Sequence, residues 1–355
     1  AERGPRGRPG GRRPRHADAA GAVTPTLKPE PRASAGQPRL WAVVGATGTG
    51  KTALSLDLAE RLRGEGINAE IVNADAMQLY RGMDIGTAKL PPSERRGIPH
   101  HLFDAVEPSE EATVAWYQPR ARAVVDEIHA RGSDAILVGG SGLYVSSVVF
   151  DFRFPPRDEA LRAELELEVE QHGTAPLLER LRALDRAAAD GVDARNPRRV
   201  VRALEVASLG GEARVALPET PELWRPATRL VGVAVPRAEL VERLDRRVRG
   251  MWAAGLLAEV EALIPRGIER GKTASRAIGY AQALAQLRGE VDEAAAIAET
   301  QTLTRRYARR QVSWFKRYPG IEWCGAADGR RGLDPLSTAG RPASEKSPTI
   351  PGPPA

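Results

Sequence analysis

The run Gly45-Ala46-Thr47-Gly48-Thr49-Gly50-Lys51-Thr52 constrains this 355-residue chain more than any other feature. It fits G-x-x-x-x-G-K-[ST] in full. It follows an apolar stretch at 40–44 that reads as a buried strand. It opens a stretch at 51–63 in which Leu54, Leu58 and Leu62 recur on one helical face. A strand, a glycine-rich turn and a helix in that order let backbone N–H groups close around an anion, and the helix N-terminus adds its partial positive charge. Lys51 supplies a full charge to phosphate oxygens, and the Thr52 hydroxyl is a candidate Mg²⁺ ligand. The loop therefore implies a di- or triphosphate ligand. It does not identify a reaction, because kinases, ATPases and other transferases share it.

The rest of the chain supplies the frame. Residues 69–72 read as a second strand ending at Asn73-Ala74-Asp75. Residues 120–131 read as a helix, 134–138 as a strand running into Gly139-Gly140, and 228–235 as a later strand. Strands alternating with helices predict an α/β fold, a parallel sheet covered on both faces. From 157 to 209 the pattern changes to charged helices (159–171, 175–184 and 197–209) with no strand between them, which predicts a helical insertion domain. Residues 237–264 are helical with a break near Gly255, and 291–318 form a long basic helix ending before Pro319. The expected organisation is a tail at 1–38, a core at 39–156, the insertion at 157–209, the remainder of the core with basic C-terminal helices at 210–324, and a second tail at 325–355.

Net charge is +6, but its location matters more than its size. Residues 1–40 carry nine basic and three acidic side chains, whereas residues 41–324 are close to neutral. The usual inference from basicity to a polyanionic partner thus rests on the tail. Thirteen of the 28 prolines fall in the two tails, which predicts disorder there. A single cysteine, Cys324, excludes a disulfide framework and a Cys-rich zinc module. No apolar run is long enough for a membrane helix, and the N-terminal stretch has no apolar segment of the secretory kind. A cytoplasmic protein with no membrane partner, and a monomer, is the expectation.

Several polar residues stand out against this frame. Asp75 ends the second strand, which places it beside the phosphate loop in a parallel sheet. It reads both as an N-cap and as a proton acceptor, and the two roles are compatible. Ser141 ends another strand on the same rim. It reads either as an N-cap for the next helix or as a direct hydrogen-bonding group. Arg198 and Arg202 share a helical face, with Arg195 one turn earlier and Arg199 beside them. Residues 305–317 interleave arginines with Tyr307, Trp314 and Phe315. The arginines suit RNA phosphates, while Trp314 and Phe315 suit the core. His100 and His101 have no Cys or spaced carboxylate to complete a metal site and read as a structural loop.

Longer blocks carry more specific information. They are Asn73-Ala74-Asp75-Ala76-Met77-Gln78-Leu79-Tyr80, Gly82-Met83-Asp84-Ile85-Gly86-Thr87-Ala88-Lys89, Gly97-Ile98-Pro99-His100-His101-Leu102 and Leu137-Val138-Gly139-Gly140-Ser141-Gly142-Leu143-Tyr144. Further on come Asn196-Pro197-Arg198-Arg199-Val200-Val201-Arg202-Ala203-Leu204-Glu205, Ala277-Ile278-Gly279-Tyr280 and Arg309-Arg310-Gln311-Val312-Ser313-Trp314-Phe315. In this order, over residues 40–323, they resemble the tRNA dimethylallyltransferase (isopentenyltransferase) family.

The resemblance implies a P-loop NTPase-like parallel sheet flanked by helices, with a helical insertion that grips the tRNA anticodon stem-loop. It implies transfer of a dimethylallyl group from dimethylallyl diphosphate to N6 of the adenosine on the 3′ side of the anticodon. Pyrophosphate leaves, with Mg²⁺ as cofactor. The phosphate loop, Gly45 to Thr52, then holds the isoprenoid diphosphate, and Thr52 is the metal-binding residue. Asp75 matches the family's catalytic aspartate. Ser141 stands where the family commonly has threonine and keeps its hydroxyl. The resemblance further implies tRNA contacts at Asp75, Ala76, Met77, Gln78, Ser141, Arg162, Arg198, Arg199, Val200, Val201, Arg202, Arg276, Ala277, Ile278, Gly279, Tyr280, Ala281, Arg309 and Arg310, with Ala281 replacing a frequent arginine. The target base would leave the loop stack and meet the isoprenoid in a channel entered from opposite ends. Two other readings of the phosphate loop stay open on the residues alone: a small-molecule kinase, and an RNA-binding protein whose loop gates binding.

Overall fold

A computed structural model of the chain describes residues 37–151, 154–155, 157–211, 221–318 and 320–325. The expected tails, apart from residues 37, 38 and 325, lie outside the described residues. Strand β1 (Leu40–Gly45) leads through the phosphate loop into α1 (Lys51–Gly64) and on to β2 (Ala69–Asn73). A 3₁₀ turn at Ala76–Leu79 and a long loop precede the two-residue β3 (His100–His101). Next come α2 (Val114–Ala130), β4 (Asp134–Gly139) and α3 (Gly142–Val149). Four helices follow: α4 (Glu159–His172), α5 (Ala175–Leu184), α6 (Arg186–Gly191) and α7 (Pro197–Ser208). The chain then returns through β5 (Arg229–Ala234) to α8 (Arg237–Ala253), α9 (Leu256–Leu263), α10 (Tyr280–Leu287), α11 (Glu293–Phe315) and β6 (Ile321–Gly325).

The six strands form one sheet in the order β3-β2-β4-β1-β5-β6, and every pairing is parallel. Because side chains alternate across a strand, a sheet covered on both faces needs apolar residues at both parities. On β1, Trp41 and Val43 pack with Leu54, Leu58 and Leu62 of α1 on one face. Leu40, Ala42 and Val44 join Tyr117, Val125 and Phe315 on the other. All six residues of β1 are buried, which puts the phosphate loop on a central, fixed strand.

The helices α4–α7 enclose a cluster of their own, built from Leu165, Leu177, Leu181, Val200, Val201 and Leu204. Asn196 caps α7 by accepting the Arg199 N–H at 3.3 Å, and Pro197 occupies its first turn, where a missing N–H costs nothing. The predicted helix at 120–131 begins earlier, at Val114. Thr113 accepts the Trp116 N–H at 3.1 Å, and packing of Tyr117 carries the helix through Pro119. Trp314 and Phe315 turn inward as expected. Phe315 is buried, and the Trp314 indole N–H donates to the Ser146 hydroxyl at 3.2 Å. His100 and His101 form β3, with His100 Nδ1 2.7 Å from the Ile98 carbonyl oxygen and His101 Nε2 2.7 Å from Glu70. Among the described residues no helix is long and apolar enough to cross a membrane.

Candidate active site

The carboxyl ends of β1, β2 and β4 meet at one rim, as a parallel sheet requires of its binding crevice. From β1 the chain enters the phosphate loop, and Gly50 takes the left-handed conformation (φ 99°) that turns it into α1. No side chain caps α1, so its first amides stay available to an anion. Lys51 donates to the Ala46 carbonyl at 2.7 Å. Burial pushes its ammonium pKa down to about 8, the Asp75 carboxylate opposing that shift and Arg247 adding to it.

Asp75 follows β2. Its Oδ1 accepts the Met77 N–H at 3.0 Å, capping the 3₁₀ turn. Its own N–H donates to Asn73 Oδ1 at 2.9 Å, which fixes the backbone there. Among the described residues nothing hydrogen-bonds Oδ2, it is not a buried unpartnered atom, and Asp75 borders a cavity. The cap and a free carboxylate oxygen thus coexist in one side chain.

Ser141 follows β4 and precedes α3, yet its side chain does not cap that helix. The hydroxyl instead accepts the Ala76 N–H at 3.1 Å and lies 3.5 Å from the Tyr307 hydroxyl. It ties the β2 rim to α11 and faces the same cavity as Asp75. Loss of solvent, reinforced by Asp75, pushes the Tyr307 phenol up to about 12, so it stays a neutral donor at physiological pH.

That cavity, about 600 Å³, is bordered by Thr47 of the phosphate loop, by Asp75, Ala76 and Met77, and by Ser141. Arg198 reaches it from α7, Arg276, Ala277, Ile278 and Tyr280 from the segment before and into α10, and Arg310 from α11. Its lining holds five basic side chains (Arg198, Arg247, Lys272, Arg276 and Arg310) against one acid, Asp75. The folded body is close to neutral, so this is a local concentration of positive charge.

Other expected site residues sit elsewhere. Thr52 borders a separate small cavity of about 30 Å³ together with Asn73, Gln78, His100 and apolar residues such as Phe103. Gln78 donates to the Thr87 carbonyl at 3.1 Å. Arg199 and Arg309 are exposed outside the main cavity lining. Arg162 and Arg202 both pair with the fully buried Glu205, at 3.5 and 2.8 Å. Arg162 also bonds Glu166 at 3.0 Å, and Glu166 receives Lys272 at 2.8 Å. Val200 and Val201, where tRNA contacts are also expected, have their side chains buried in the α4–α7 cluster, because the helical period that turns Arg198 outward turns them inward. Gly279 and Ala281 are not in the cavity lining. The Gly279 N–H donates to Gln282 Oε1 at 2.9 Å to start α10.

Two residues that sequence reasoning missed complete the site. Arg247 of α8 donates to the Thr47 hydroxyl at 3.1 Å and to the Thr87 carbonyl at 3.2 Å. Burial lowers its pKa and the Asp75 charge counters that. Gln311 of α11 accepts the Thr47 N–H at 2.9 Å and donates to the Gly140 carbonyl at 2.8 Å, clamping the phosphate loop to the end of β4. Gln311 lies in a block singled out above. Arg247 sits among four other arginines of α8, and nothing local marks it. No group of three or more His, Cys, Asp or Glu that could hold a metal exists among the described residues.

The profile of a family described as IPP transferase matches residues 78–318. A tRNA dimethylallyltransferase of Clavibacter sepedonicus is 57% identical over 301 residues, covering 84% of this chain and 98% of the relative. One of Leifsonia xyli subsp. xyli is 66% identical over 248 residues, covering 70% and 94%. The crystal structure of a tRNA isopentenylpyrophosphate transferase from Bacillus halodurans matches at 39% identity with a TM-score of 0.58, over 81% of this chain and 90% of that one. A eukaryotic dimethylallyltransferase acting on tRNA matches at 27% identity with a TM-score of 0.68, over 81% and 74%. With its parallel sheet, its phosphate loop and its Asp75 rim, this chain belongs to the tRNA dimethylallyltransferase family.

Proposed function

We propose that this enzyme transfers a dimethylallyl group from dimethylallyl diphosphate to N6 of the adenosine 3′-adjacent to the anticodon of a tRNA, releasing pyrophosphate. The observation that carries this reading is the single cavity in which Thr47 and Arg247 face the one open carboxylate, Asp75, under a rim of arginines. A phosphate loop alone suits many reactions. A phosphate loop sharing a chamber with an isolated carboxylate and a basic entrance suits an anionic donor and a polyanionic acceptor.

The chemistry follows from the residues. The amine of adenine is a weak nucleophile because its lone pair is delocalised into the ring, so a base that takes its proton as the C–N bond forms lowers the barrier. Asp75 Oδ2 takes that role, while Oδ1 stays engaged with Met77 and keeps the carboxylate oriented. Charge grows on the leaving diphosphate as the C–O bond breaks. The amides of α1, Lys51 and Arg247 lie at the phosphate end to offset it. The Ser141 hydroxyl holds Ala76 and lines the same cavity, where it serves as a hydrogen-bonding group for the diphosphate. Arg198, Arg276 and Arg310 draw the tRNA backbone to the mouth, and Glu205 sets Arg162 and Arg202 behind them. If Mg²⁺ binds, the exposed Thr52 hydroxyl at the start of α1 is the loop residue that would hold it, and the ion would supply further charge neutralisation.

The direct test is incubation with labelled dimethylallyl diphosphate, Mg²⁺ and unmodified tRNA bearing adenosine beside the anticodon. Label in that adenosine is expected. No label, together with transfer of the γ-phosphate of ATP to a small molecule, would replace this reading with a kinase.

A further inference from the structure

Glu259 lies in the first turn of α9, outside the cavity lining. Its carboxylate accepts the backbone N–H groups of Ile85 at 2.7 Å, Asp84 at 3.2 Å and Gly86 at 3.4 Å, and the Tyr280 hydroxyl at 2.6 Å. Three successive amides turned onto one anion form the kind of concave site that elsewhere holds a free anion. Here a side chain of the same protein fills it, so the acid fixes three backbone amides as well as the Tyr280 side chain. The next residue, Thr87, presents its carbonyl to Gln78 at 3.1 Å and to Arg247 at 3.2 Å.

Arg247 makes no salt bridge among the described residues; its hydrogen bonds go to Thr87 and to Thr47. A long side chain with many rotamers is held at the phosphate loop by one backbone carbonyl and one hydroxyl.

We propose that Glu259 is a positioning residue for the diphosphate: by fixing residues 84–86 it aims the Thr87 carbonyl at Arg247 and so holds the guanidinium beside Thr47. The identity of the diphosphate as a prenyl donor rests on the reading above; the relay from Glu259 to Arg247 does not. The same carboxylate holds Tyr280, whose ring packs so closely on Gly86 that a Cβ there would strike it. The donor pocket and the segment leading into α10 therefore share one anchor.

The test uses the full chain carrying Glu259→Gln, which keeps size but removes the charge and replaces one acceptor oxygen with a donor group. The KM for dimethylallyl diphosphate should rise about tenfold to a hundredfold, the scale on which small misplacements of a binding group act. Affinity for inorganic pyrophosphate, measured by calorimetry, should fall in parallel. In an Arg247→Gln background the added Glu259→Gln change should cost less than about twofold, because both changes act through one guanidinium. An unchanged donor KM and pyrophosphate affinity would overturn the proposal, even with a lower kcat, since loss of folded enzyme reduces kcat and leaves KM in place. Full additivity with Arg247→Gln would overturn it too. If Glu259→Gln does not fold, Glu259→Asp keeps the charge with a shorter reach. It should raise the KM by a smaller factor, and an unchanged KM there counts against the relay. If the wild type binds pyrophosphate but prenylates no tRNA, the functional reading falls while the pyrophosphate measurements still decide the relay.

Discussion

Arg247 donates to the Thr47 hydroxyl across 3.1 Å, a bond between residues 200 positions apart that joins α8 to the phosphate loop. It places a half-buried cation at the end of the loop that faces Asp75. Replacing it by glutamine should lower kcat/KM for the donor about a hundredfold, the usual scale for removing one donor aimed at developing charge. Arg247→Lys should recover little of this, because a single ammonium does not reproduce the two-pronged geometry that spans Thr47 and Thr87. Steady-state kinetics at saturating tRNA measure both, and activity near wild type in the glutamine variant would remove Arg247 from the site.

Glu205 is a fully buried carboxylate that accepts the Asp158 N–H at 3.0 Å and pairs with Arg162 and Arg202. Cutting one partner from such a cluster leaves uncompensated charge. Glu205→Ala should therefore destabilise the protein by about 3 kcal/mol. It should also weaken tRNA binding while leaving donor affinity unchanged. Thermal unfolding and tRNA titration check the two effects separately; unchanged tRNA affinity would reduce Glu205 to a structural acid.

Gly86 has room for a hydrogen and little else, because the Tyr280 ring sits against it and the Tyr280 hydroxyl is held by Glu259. Gly86→Ala should cost about 1–3 kcal/mol of stability through overpacking. In a Tyr280→Ala background, itself destabilised by the loss of a fully buried ring, Gly86→Ala should cost less than it does alone, because the space is cleared. Chemical denaturation of the single and double variants checks this, and additive destabilisation would contradict it.

Residues 1–38 hold eight basic and three acidic side chains, so removing them strips most of the net charge. The slope of log affinity for tRNA against log salt should become shallower, and kcat and donor KM should stay within about twofold. Loss of site-specific modification would assign the tail a larger part.

The parts of this site that are contiguous in sequence were legible without coordinates. The loop at Gly45–Thr52 announces itself through its glycines, its lysine and its flanking strand and helix. Asp75 and Ser141 were placed on one rim because both end strands of a parallel sheet. Arg247 and Glu259 were not legible. Each lies on a helix rich in like residues, and each acquires its role from a partner more than 150 positions away. The family likeness groups Arg198 with Val200 and Val201, whereas the structure turns Arg198 to the cavity and buries the two valines. Strand β6 was missed for a different reason. It is a five-residue edge strand with Glu322 and Trp323 exposed, so it shows neither alternation nor a continuous apolar run. The two-residue β3 has no pattern to find.

The measurement that bears most directly on the account is a single-turnover comparison of wild type and Asp75→Ala, with both substrates bound. Wild type should form the prenylated adenosine. Asp75→Ala should bind tRNA and donor with affinities within about threefold, while transfer slows by about a hundredfold to ten-thousandfold, the range attributed to a general base. Transfer at a rate near wild type would contradict the assignment of Asp75 as the group that takes the proton.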